Sequence, residues 1–116
     1  MDASRILKYQ LSQGDMEAIV AALMIMDRLF LDTEMDDYPY EERLEDYRYV
    51  KPALMRLTNF DGKITHNDLV CMGIAIDFAD RILCGEVRVD ESAVQICNTY
   101  RFTIQKLLPI FMNADY

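Results

Sequence analysis

The chain has no tryptophan, one histidine, four glycines and three prolines in 116 residues. So few turn-forming residues leave too little punctuation for a fold of many short strands. The lone histidine, His66, excludes a multi-histidine zinc site and weakens a Ser-His-Asp triad. Its place near a helix start reads as a surface position. Cys71, Cys84 and Cys97 never approach within a C-x-x-C spacing, so no zinc knuckle or redox pair is indicated. Reduced thiols in a cytoplasmic protein are the expectation. No glycine-rich phosphate loop is present. The longest apolar run, Ala18 to Met26, is nine residues, against about 20 for a membrane span. Met1 to Arg5 lacks the apolar stretch and small-residue cleavage site of a secretory signal. Basic residues are also scarce, 12 against 20 acidic. That deficit argues against direct binding to nucleic acid or to an anionic membrane, both of which require lysine and arginine.

What is present is unevenly placed. Eight of the fifteen residues from Asp32 to Asp46 are acidic, with Arg43 the one base among them, a net −7 of the chain's −8. Four of the seven tyrosines, Tyr38, Tyr40, Tyr47 and Tyr49, lie in or beside this window. A field concentrated in this way attracts cations, whether a metal or a basic protein surface.

The remainder reads as helix. The hydrophobic content of 52% supports a core, and the length suits a single domain spanning 1–116. Residues 1–12 fit either a short helix or an extended arm. Ser12 or Asp15 caps a first helix over Met16 to Leu31, whose middle is apolar on every side and therefore packs against other helices or another chain. Residues 32–37 form a loop. Tyr40, Leu44, Tyr47, Val50, Leu54 and Leu57 recur at helical spacing through Pro52, which predicts one kinked helix over about 40–58. Asn59 to Ile64 form a turn at Gly62. Thr65 and Asp68 make a capping box for a third helix, with Leu69, Met72, Ile76, Ala79 and Leu83 inside and Gly85 at its end. Asp90 caps a fourth, with Ala93, Cys97, Tyr100, Ile104, Leu107 and Phe111 inside and a kink or end at Pro109. The expected fold is all-α: a compact antiparallel four-helix bundle with kinked second and fourth helices.

Two acidic constellations carry possible metal chemistry. Glu41-Glu42-x-x-Glu45 and Asp77-x-x-Asp80 place carboxylates on shared faces of two helices, where Mg²⁺ could sit between them. This arrangement resembles the all-α MazG-like nucleotide pyrophosphohydrolases. The resemblance implies metal-activated water attacking a nucleoside triphosphate, with Glu41, Glu42, Glu45, Asp77 and Asp80 as ligands. The second constellation, Asn59 to Asp68, resembles the latter half of an EF-hand loop, with Asn59, Asp61, Gly62, Ile64 and Asp68 at loop positions 3, 5, 6, 8 and 12. Leu57 would stand at position 1 and has no ligand oxygen. Capped helix geometry accounts for Gly62, Thr65 and Asp68 without metal.

At 100° per residue, Glu42 lies about 160 to 220° from Tyr40, Leu44 and Tyr47, which turns it to solvent. The preferred expectation is therefore a non-enzymatic protein with no catalytic residue, metal or cofactor. Its partner-binding residues would be Asp32, Glu34, Asp36, Asp37, Tyr38, Glu42, Glu45, Asp46 and Tyr49. Carboxylates about 6 Å apart on a helix approximate the spacing of backbone phosphates, and exposed tyrosines suit an interface. Phe102, opposite the inner face of the fourth helix, marks another candidate contact. The expected partner is a basic protein, such as a nucleic-acid-binding effector. In size and charge the chain is similar to phage and mobile-element inhibitors, including nucleic-acid mimics among anti-CRISPR proteins. A structural subunit, with helix one as a homodimer contact, is the third expectation.

Overall fold

Ser12, Thr65 and Asp90 each start a helix, and in each case the side chain accepts the backbone N–H three residues on. In the first two the reciprocal bond is also made, from the cap backbone to Asp15 and to Asp68. Two orphan amides are satisfied at each such end. The computed structural model describes residues 11–57 and 65–112. The readings of an N-terminal arm and of a turn around Gly62, with its EF-hand-like portion, fall largely outside these residues.

Helix α1 runs Gln13–Leu29 and passes into a 3₁₀ turn, Phe30–Asp32. Helix α2 is Tyr40–Leu57, α3 is His66–Leu83, α4 is Glu91–Thr99 and α5 is Arg101–Met112. No strand occurs among the described residues. Pro52 and Pro109 both lie inside helices, so Pro109 does not end its own. The fourth apolar segment, expected as one helix from Asp90, is two. They meet at Tyr100, whose backbone leaves the helical region at φ −104° and ψ 16°.

Helix α3 is the hub, and α1, α2, α4 and α5 all pack on it. Leu69, Met72, Ile76 and Ala79 are buried as their spacing predicts. Around them lie Ile19, Leu23 and Met26 of α1, Leu54 and Leu57 of α2, and Ile104, Leu107 and Phe111 of α5. Phe30 seats the 3₁₀ turn edge-on against Phe78 at 5.2 Å and against Tyr38 at 5.5 Å. Ion pairs join the helices at the rim: Asp15 with Lys106, Asp27 with Lys51, Arg28 with Asp90 and Arg56 with Asp68. The radius of gyration, 13.2 Å, matches the value of about 13 Å for a compact chain of this length. No described helix is long and apolar enough to cross a membrane.

Helix α3 ends in a Schellman motif. Gly85 takes φ 77°, its amide bonds to Ile82, and that of Glu86 bonds to Arg81. Glycine tolerates this left-handed conformation because it has no Cβ. The motif turns Glu86 back beside Arg81, at the edge of the acidic loop.

Candidate partner-binding surface

The acidic window is organised by two arginines. Arg43, on α2, is 4% exposed. Its Nη1 donates to the carbonyls of Phe30, at 2.8 Å, and of Thr33, and to Thr33 Oγ1 at 3.2 Å. Its Nε donates to the Tyr38 carbonyl at 2.9 Å. The window's one cation is thus turned inward as a clasp between α2 and the loop. Five donors in a fixed fork suit arginine to gathering several carbonyls at once.

Arg81, on α3, holds the loop from outside. It pairs with Asp37 at 2.9 Å and with Asp77 at 3.0 Å, lies 4.0 Å from Glu86, and stacks 5.9 Å from the Tyr38 ring centroid. Its hydrogen bond holds the Asp37 carboxyl below the usual carboxylate range.

Burying Arg43 also changes which side of α2 faces in. The buried positions are Arg43, Val50, Ala53, Leu54 and Leu57. Tyr40 is exposed, and Leu44 and Tyr47 are half-buried. The helix is rolled by about 50° relative to the face read from its apolar positions. Asp46 therefore does not point away from the bundle. It is half-buried and accepts the Tyr38 hydroxyl. Tyr38 is half-buried as well, and burial, then Asp46, Glu42 and Asp77, raise its phenol pKa. Tyr49 remains exposed, with its hydroxyl bonded to Asn67 on α3.

Asp32, Glu34, Asp36, Glu41, Glu42 and Glu45 are exposed, and none makes an ion pair among the described residues. Arg48, a turn beyond Glu45, is exposed and also outside these pairs. A polar cavity of about 390 Å³ lies among Glu34, Met35, Asp36, Asp37, Arg81 and Glu86.

The carboxylates of the metal reading, Glu41, Glu42 and Glu45 on α2 and Asp77 and Asp80 on α3, are not assembled. Asp77 is taken by Arg81, and Asp80 faces the Cys84 thiol, which it holds above the usual thiol range. Among the described residues no three His, Cys, Asp or Glu side chains are grouped to hold an ion. Compared with known protein families, curated proteins and solved structures, the chain matches none.

In the sequence Arg43 is one positive charge against eight negative ones, and Arg81 stands outside the acidic window. The signal for Arg81 was available: Val70, Ile74, Asp77 and Arg81 form one stripe of α3 at i, i+4, i+7 and i+11. An apolar groove also runs beside α1. Met24, 58% exposed, together with Ile96 and Tyr100, lines a cavity of about 510 Å³. Phe102 is 87% exposed, as its place opposite the inner face predicts.

Proposed function

We propose that the chain is a small, acidic, non-enzymatic interaction protein that binds a basic protein surface through its Asp32–Tyr49 segment. One observation carries this reading. Arg43, the only base within the acidic window, is spent on backbone carbonyls inside the fold, so the carboxylates outside are left without it. Their field acts on whatever approaches. The two arginines hold the segment's shape, and a preorganised surface loses less entropy on binding.

The partner in this proposal is a nucleic-acid-handling protein whose positive groove the segment occupies, as phage and mobile-element inhibitors of the anti-CRISPR type do. The cytoplasm is the compartment in which such a partner would be met. The same proposal treats the chain as one domain and as an antiparallel four-helix bundle, with α4 and α5 together forming the fourth member.

The test uses exposed residues only. Asp46 is left intact because it holds Tyr38. The triple variant Glu41→Lys, Glu42→Lys, Glu45→Lys is compared with the unaltered protein as bait in a cell lysate, at low and at raised salt. Partners captured by the unaltered protein are expected to be lost with the variant and weakened by salt. Equal capture by both baits would sink the proposal.

A further inference from the structure

Beside the acidic loop lies a second cavity, of about 260 Å³, with a different lining. Val70, Gly73 and Ile74 of α3 and Phe111 of α5 form its apolar surface. Tyr38, Asp77 and Arg81 also line it. Arg81 and Tyr38 therefore belong both to this cavity and to the clasped acidic loop. Arg81 is the cation here, and Asp37, Asp77 and Glu86 surround it. Asp46, which does not line the cavity, accepts the Tyr38 hydroxyl. Within the lining Asp77 and Arg81 pair with each other, and Asp37 and Glu86 stand on the far side of Arg81, so the recess opens beside three carboxylates gathered about one guanidinium.

Resting on the reading of the acidic face, we propose that this cavity is the anchor pocket of the same interface, taking one apolar side chain from a basic segment of the partner. At about 260 Å³ the recess has room for one apolar side chain and sits just below the usual range of small-molecule pockets, about 300 to 1,000 Å³. Charge selects the segment: the rim repels acidic sequence and attracts lysine and arginine on either side of the anchor. A buried apolar anchor ringed by polar contacts is the usual energetic centre of an interface.

The probes are two labelled eleven-residue peptides of lysine and arginine, one with a central phenylalanine and one with serine there, titrated by fluorescence anisotropy at low salt. The phenylalanine peptide is expected to bind about tenfold tighter or more, the value of burying such a side chain. Val70→Phe and Ile74→Phe, each filling the cavity without altering charge, should abolish that preference and leave the salt dependence unchanged. Circular dichroism melting confirms that each variant is folded, and either one suffices. Equal binding of the two peptides, or a preference that survives in a folded filled variant, overturns the anchor pocket. If the Glu41→Lys, Glu42→Lys, Glu45→Lys protein still loses both peptides, the acidic face stands without it. Failure of both peptides to bind the unaltered protein overturns the acidic face, and the anchor with it.

Discussion

Arg43 shows how one residue can decide the character of a surface. A guanidinium in the interior is costly unless its donors are met, and here main-chain carbonyls of Phe30, Thr33 and Tyr38 meet those of Nε and Nη1. Those carbonyls in turn depend on Arg43. Arg43→Ala should therefore cost about 3 kcal/mol of stability, the scale of losing several charged hydrogen bonds and leaving their partners buried. Urea unfolding checks the magnitude, and amide exchange should quicken first over residues 33–38. A loss below about 0.5 kcal/mol, the scale of an ordinary surface substitution, would show that the clasp is not structural. Nothing in the sequence marks this role. An arginine among eight acids reads as a partner for them, and the carbonyls that claim it belong to a chain turn visible only in three dimensions.

At the level of elements, legibility follows how local the signal is. Ser12, Thr65, Asp90 and Gly85 act within a few residues of themselves; Thr65, Asp90 and Gly85 are readable as helix boundaries, and Ser12 is one of two candidates, the helix starting at Gln13 rather than Met16. Most of the inner faces of α3 and of the α4–α5 segment is readable too, though Leu83 and Tyr100, expected inside, are only half-buried. The face of α2 was not, since Tyr40 and Tyr47 imitate core positions while Arg43 takes one. The break at Tyr100 has no glycine or proline to announce it. Of the local devices, Gly85 gives the cleanest test. Gly85→Ala places a Cβ on a residue at φ 77°, where no atom crowds it within 4 Å, so the cost is conformational alone. About 1 kcal/mol of destabilisation is expected, read as a lowered urea midpoint with unchanged m-value. An unchanged midpoint would mean that the α3 terminus adjusts freely.

For the whole molecule, carboxylates that tie one helix to another set the acid limit. Lys51, opposed by partial burial and aided by Tyr47, lowers the pKa of Asp27 on α1. Burial pushes Asp15 upward, but Lys106 of α5 and the Ser12 cap outweigh it and lower its pKa below 3.8. In both, the folded state binds the proton less readily than the unfolded state. The stability these groups contribute is therefore fully present well above pH 3.8 and is lost as pH falls through their folded values. Thermal unfolding should move to lower temperature between about pH 4 and pH 2. Asp27→Asn should flatten that slope, and an unaltered slope would remove Asp27 from the account.

The uneven placing of charge also has a rotational consequence. With 20 acidic and 12 basic residues, and an excess gathered almost wholly between Asp32 and Asp46, the centre of charge is displaced from the centre of mass. A cationic surface then exerts a torque on the protein as well as a pull. The molecule turns its loop end forward while still in solution, and fewer collisions are wasted on the wrong face. The placing of the excess charge along the chain would thereby set which end of the protein meets a cationic surface first.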